Sequence, residues 1–270
     1  MLLQTRGPKI GVCNICGGYG ALTEDHTPPK GVVLVKQMEL RHIASRLSAE
    51  PISHKFRQFQ NGVKYRTLCA GCNNGLGAYD DPALIEFSVG VHEVMTSPWP
   101  ISHRRLMPQK IMRSVLGHLC AQGVGRYGKG EITEVLARYL TDRRTTLPAS
   151  LEVYWWPYPY RDQVLVRDAA YLDIRSGHSM TIWIMKFFPL AFLVVVNRPD
   201  EVTFLGCELS AHRDCVDGDV KEIMVDCRSL IHPHWPEAPT GESAILFGPE
   251  ATFARERSVP VAAATQDSSE

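Results

Sequence analysis

Cys13 and Cys16 are separated by two residues, and Cys69 and Cys72 repeat that spacing. Such a spacing lets both sulfurs of a pair reach one ion while backbone amides support the thiolates. Four sulfurs in a tetrahedral array select zinc and close its coordination shell. The 52 residues between the pairs exceed the usual separation in a zinc ribbon, so the chain must fold something between them. A zinc ion closed by four sulfurs has no open position and cannot activate water. Any chemistry must come from other groups. Asp25 is a hard oxygen donor suited to Mg2+ or Mn2+, and His26 beside it has the right pKa to take a proton from water near neutrality. Asn73 and Asn74, neutral oxygen donors, follow Cys72 directly. If zinc draws the two pairs together, Asp25, His26 and Asn73 converge, with Asp25 and Asn73 on a divalent cation and His26 facing an attacking water.

Read together, "CNIC", "LTEDHTPPK" and "LCAGCNN" resemble the HNH endonuclease family in its zinc-stapled ββα-metal, or treble-clef, form. The resemblance covers roughly residues 10–80 and does not extend further. It implies a metal-dependent endonuclease hydrolysing phosphodiester bonds in DNA, with RNA as a lesser alternative, in defence against foreign DNA or in a mobile element. It implies His26 as general base and Asp25 and Asn73 as ligands of a catalytic Mg2+ or Mn2+. The proline that follows the family's His is present as Pro28-Pro29. Two positions depart from the pattern. Lys64 stands where spacing puts the family's middle Asn, with Asn61 close but out of register, and Gly75-Leu76-Gly77 replaces the stretch that often carries Lys. The competing expectation is a non-catalytic zinc-binding adaptor for nucleic acid or protein, in which Asp25-His26 only braces a loop. A third is a structural subunit whose C-terminal region mediates assembly, as a homo-oligomer or with a protein partner.

Formal net charge is zero over 270 residues, which does not mark a generic nucleic-acid binder. The average hides a gradient: residues 1–75 carry ten Lys or Arg against four acids, and the remainder is correspondingly acidic. A basic N-terminal third fits a localised polyanion site. Within it, "SHKFRQFQNGVKYR" offers Lys55, Arg57, Lys64 and Arg66 for phosphates, with Phe56, Phe59 and Tyr65 read as core anchors. The opening residues hold no apolar run before Arg6, which sets the expectation of a reducing cytoplasm and of cysteines as thiols or metal ligands. The most apolar segment, Met180–Val196, is broken by Lys186 and Pro189, so it predicts two buried strands and no membrane span.

The elements that must position these groups follow from periodicity. Leu40, Ile43, Ala44 and Leu47 predict a helix over 36–48, and Asn61-Gly62 predicts a hairpin turn. Asp81-Pro82 starts a helix to about Val94, and "SPWP" at 97–100 marks a boundary. Pro108 opens a helix that Gly123 ends, and a second spans about 132–140. After Pro148 the period becomes two, and "LEVYWWPY", "QVLVRDAAYLDI", "TIWIMKFF", "AFLVVV", "VTFLGCEL" and "VKEIMVDC" read as strands. The fold class expected is α+β: a zinc-stapled ββα-metal module with a helical insertion over 1–100, helices plus a mainly antiparallel sheet over 101–235, and a loose tail over 236–270. Cys207, His212, Cys215 and Cys227 offer a weaker second metal set at irregular spacing, and His118 reads as a satisfied core histidine.

Overall fold

A computed structural model describes residues 3–33, 37–48, 56–129, 132–239 and 241–257. The chain opens with β1 (Ile10–Val12) and β2 (Tyr19–His26), then β3 (Met38–His42), a single turn α1 (Ala44–Leu47) and β4 (Arg57–Phe59). β5 (Lys64–Cys69) runs into α2 (Ala70–Gly75), a π-helical turn at Leu76–Asp80 and α3 (Asp81–Thr96). Then come β6 (Ile101–Leu106), α4 (Pro108–Ala121) and α5 (Thr133–Thr141). The strands β7 (Leu151–Pro157), β8 (Gln163–Asp173), β9 (Ser179–Phe187), β10 (Leu190–Val196), β11 (Cys207–Glu208), β12 (Lys221–Asp226), β13 (Ser243–Leu246) and β14 (Thr252–Glu256) complete it. All named strand pairs are antiparallel, so the protein is α+β. Among the described residues, no helix is long and apolar enough to cross a membrane.

Three sheets form. The small one has the order β1-β2-β5, and the large one runs β11-β7-β10-β9-β8-β14-β3-β4, with β13 beside β8. β12 and β6 make a separate ribbon. The large sheet is buried on both faces. Along β10, Leu190, Phe192 and Val194 enter one core, and Ala191, Leu193 and Val195 enter the other. Strands covered on both sides read as unbroken apolar runs, which explains the Met180–Val196 stretch. The first core holds α3 and α4 against the sheet, and the second is closed by Val202 and Phe253, with Phe204 and Trp235 packed on it.

α4 is the axle of the molecule. It is buried on every side, because the small sheet lies against it from one direction and the large sheet from the other. Each of its buried polar residues has at least one partner. Gln109 donates to the Arg213 carbonyl, Ser114 to Asp81, Arg113 to the Thr145 carbonyl, and His118 lies between two carboxylates. The C-terminus of α4 is capped from the first cysteine pair: the Asn14 amide donates to the carbonyls of Cys120 (3.0 Å) and Gly123 (2.7 Å). A helix end buried away from water needs such partners for its last carbonyls.

Several expectations change. Over 36–48, residues 38–42 form β3 and only 44–47 are helical, while Lys36 lies outside the described residues. Met38 and Leu40 alternate into the core of a sheet, and pairing with β14 overrides the helical spacing. The Asn61-Gly62 turn exists, with Gly62 at φ 70°, but it does not close a hairpin. β4 pairs with β3 in the large sheet and β5 with β2 in the small one. Of "VTFLGCEL" only Cys207–Glu208 is strand. Residues 243–256, expected to be loose, supply β13 and β14, and β14 sits between β8 and β3. Because β3 and β4 join that sheet, residues 1–100 and 101–235 share one core and do not part at 97–100.

One buried ion pair tests the second core. Lys186 on β9 is fully buried, and its Nζ donates to the carbonyls of Pro233 (2.7 Å) and Trp235 (2.9 Å) and to Glu237 Oε2 (2.6 Å). Burial pushes the ammonium down to about 8 against the opposing pull of Glu237. Lys186→Met is expected to cost about 3–5 kcal/mol in urea unfolding, because it leaves the buried Glu237 carboxylate without a hydrogen-bonded cation and with only the Arg46 guanidinium at 3.8 Å. Adding Glu237→Leu is expected to recover part of that loss.

Candidate metal centre and the residues around it

The first knuckle is built by the turn between β1 and β2. The Cys13 amide donates to the Gly18 carbonyl at 2.9 Å and the Gly17 amide to the Cys13 carbonyl at 3.0 Å. Gly17 has φ 71°, and a Cβ there would meet the Tyr127 ring at 2.4 Å, so only glycine fits on both counts. The second knuckle is the junction of strand and helix: Cys69 ends β5 and Cys72 lies in the first turn of α2. The β2–β5 pairing brings the two together, with Leu22 opposite Cys69.

The four sulfurs of Cys13, Cys16, Cys69 and Cys72 all lie within 4.8 Å of one another, and Cys16 Sγ is 3.8 Å from Cys69 Sγ. Zinc–sulfur bonds of about 2.3 Å in a tetrahedron need sulfur–sulfur edges of about 3.8 Å. Crowding sets the thiols against each other: the Cys72 hydrogen bond lowers Cys13 to about 4, and the same bond, with burial, raises Cys72. A divalent cation answers that conflict by accepting all four as thiolates. The cluster can thus hold a structural metal such as zinc. Cys207, His212, Cys215 and Cys227 form no such group among the described residues.

The 52-residue interval is filled by the excursion that carries β3, α1 and β4 into the large sheet. It leaves β2 at His26 and returns at β5. Its return turn reaches back, because His26 Nε2 donates to the Asn61 carbonyl at 3.1 Å and the Thr27 amide to the Val63 carbonyl at 3.1 Å. The bond from Nε2 leaves the His26 lone pair on Nδ1. Burial, then Lys64, holds this imidazole below its usual value. Asn61, out of register in the sequence pattern, therefore steadies His26 through its backbone.

Asp25 faces the other way. Opposed residues on paired strands share a face, so Glu24, Arg66, His26 and Lys64 lie on one side of the β2–β5 ladder and Asp25 and Tyr65 on the other, toward α4. Asp25 is 7% exposed. Its Oδ2 accepts from His118 Nδ1 at 2.8 Å and from the Thr27 hydroxyl at 3.4 Å, and none of the described hydrogen bonds falls on Oδ1. His118 Nε2 in turn donates to Asp81 Oδ1 at 2.9 Å. Asn73 is fixed by its nitrogen, which donates to Thr23 Oγ1 at 3.0 Å and the Glu24 carbonyl at 3.3 Å. No described hydrogen bond falls on its Oδ1. Asp25 and His26 thus stand on opposite faces of β2 and Asn73 on the helix crossing it, and no described hydrogen bond joins any two of the three.

His118 and Asp81 escaped the sequence reading as partners of Asp25. The signals were a histidine on an otherwise apolar helix and an acid at a helix start, 93 and 56 residues from Asp25. Burial opposes the charge of His118, but Asp25 and Asp81 outweigh it and push it up to about 10. For Asp81 the burial cost is outweighed by the charge and hydrogen bond of His118, which hold it low. A raised folded-state value means the His118 contribution is complete below about pH 6.5 and fades as pH climbs through the folded value. The urea midpoint of wild type is therefore expected to exceed that of His118→Gln most at pH 6, with the gap shrinking toward pH 10.

Of the basic candidates, Lys64 and Arg66 sit on the His26 face, and Lys55 lies outside the described residues. The Arg66 guanidinium bonds the Gly7 carbonyl at 3.0 Å, and Arg57 stacks over Phe59 at 5.4 Å. Among the described residues Lys64 has no ion pair. Phe59 and Tyr65 are buried, as core anchors should be, while Phe56 is exposed beneath Arg41. No family model, curated protein or solved structure matches this chain.

Proposed function

We propose that this protein is a metal-dependent endonuclease of the HNH type that hydrolyses phosphodiester bonds in DNA. The observation that carries the reading is the order strand, helix and cluster: β2 ends in Asp25-His26, β5 returns beside it, and α2 brings Asn73 across from the four-cysteine centre. A bound Mg2+ or Mn2+ would stabilise charge on the phosphate and on the leaving 3′ oxygen. Asp25 and Asn73 would hold it, each through the Oδ1 that the described hydrogen bonds leave available. His118 and Thr27 steady the other oxygen of Asp25, as partners behind a ligating carboxylate do. His26 Nδ1 accepts a proton as the water oxygen bonds to phosphorus, the P–O3′ bond breaks, and solvent protonates the leaving oxygen. Lys64 and Arg66, on the His26 face, contribute charge for the phosphate backbone, with Arg57 nearby in sequence.

A second reading keeps the zinc and drops the chemistry. It is favoured by the burial of Asp25 against His118, which is 1% exposed, since a carboxylate turned into the core braces the fold well. The protein is then a zinc-pinned adaptor for nucleic acid or a protein partner. Incubation of zinc-loaded protein with supercoiled plasmid and Mg2+ or Mn2+ separates the two. The nuclease reading expects nicked circles that need the added cation, and intact plasmid under every cation leaves only the adaptor.

A further inference from the structure

A cavity of about 420 Å³ has no cysteine in its lining. Its walls come from six places: Val32 and its neighbours after His26, Met38 of β3, Val89 and His92 of α3, Phe188 at the β9–β10 turn, Arg161 and Gln163 at the start of β8, and Glu256 of β14. Pockets of this kind, mostly apolar with a few polar groups, are where small molecules bind.

The polar groups are specific. The Arg161 guanidinium lies 4.3 Å over the Phe188 ring, and the His92 ring meets the same phenyl edge-on at 5.3 Å. Among the described residues no carboxylate pairs with Arg161. Gln163 is 6% exposed, and its Oε1 is buried without a hydrogen-bond partner. An unpartnered buried acceptor is costly unless something supplies a donor. The single acid in the lining, Glu256, already has a partner.

We infer that this cavity binds a small organic monocarboxylate with an apolar ring and a hydroxyl or amino donor. The carboxylate meets the planar fork of Arg161, which fits it with two parallel hydrogen bonds. The ring lies among Val32, Val89 and Phe188, and the donor satisfies Gln163. One negative charge suits a site with one free guanidinium and an acid nearby, whereas a phosphate dianion would need more positive charge than the lining offers. Nothing in this inference depends on nuclease activity.

Calorimetry on the full zinc-loaded chain tests it with four probes: 4-hydroxybenzoate, benzoate, 4-hydroxybenzamide and inorganic phosphate. The expected result is saturable one-to-one binding of 4-hydroxybenzoate, benzoate weaker by about tenfold for want of the donor, and no binding of the amide or phosphate. Arg161→Gln, at an exposed position that leaves folding intact, is expected to weaken 4-hydroxybenzoate at least tenfold. Gln163→Met is expected to erase the difference between the two acids. The inference is overturned if neither acid saturates, if the amide or phosphate binds as well as the acids, or if Arg161→Gln binds like wild type.

Discussion

Cys69→Ser is expected to release the metal and drop the melting temperature by 10 °C or more. Structural zinc contributes folding energy outright, on the order of 10 kcal/mol for a complete thiolate set in small zinc modules. Losing even about 5 kcal/mol corresponds to a melting shift of roughly 10–20 °C in a chain of this size class. The damage should spread beyond the small sheet. Asn14, inside the first knuckle, caps α4, and the Thr67 hydroxyl of β5 donates to the Ala121 carbonyl at 2.7 Å. α4 is common to both layers, so its last turn loosens when the knuckles part. Metal content by mass spectrometry and thermal unfolding by circular dichroism read the two effects. Wild-type protein that carries no zinc, together with a variant that melts like it, shows that the cluster is four thiols and not a metal centre. Cys207→Ser, an exposed cysteine outside the cluster, should change neither.

His26→Ala is expected to lower plasmid nicking by about 10²–10⁴-fold, the range that general-base catalysis typically supplies. Stability should change little, because the ring is half-buried and its one described hydrogen bond goes to the Asn61 carbonyl. Zinc content should not change, since the knuckles do not involve it. The contrast with His118 is informative. His118 touches Asp25 and Asp81 in the core, so its replacement should reduce stability as well as any activity, whereas His26→Ala separates the two. An unimpaired His26→Ala assigns the proton transfer to another group.

The four-cysteine cluster was legible because chemistry restricts it: two cysteine pairs of equal spacing are the pattern by which thiolates share one metal ion. The strands of β7 to β10 and the helices α3 to α5 were legible because their apolar periods are long. The excursion was not. Leu40, Ile43 and Leu47 fit a helical stripe, and pairing with β4 on one side and with β14, more than 200 residues away, on the other makes 38–42 extended. β14 itself is five residues between glycine- and proline-rich stretches, too short to announce a strand. The candidate site shows the same division. Asp25, His26 and Asn73 could be named from their neighbours in sequence. The histidine that holds Asp25 could not, because only the packing of α4 on β2 brings it there.

The most direct measurement is a Mn2+ titration of the zinc-loaded protein followed by electron paramagnetic resonance. One Mn2+ should bind per chain without displacing zinc, bind as well in His26→Ala, and be weakened in both Asp25→Asn and Asn73→Ala. Absence of a bound Mn2+, or equal binding in Asp25→Asn and Asn73→Ala, contradicts the account and leaves a zinc-pinned scaffold.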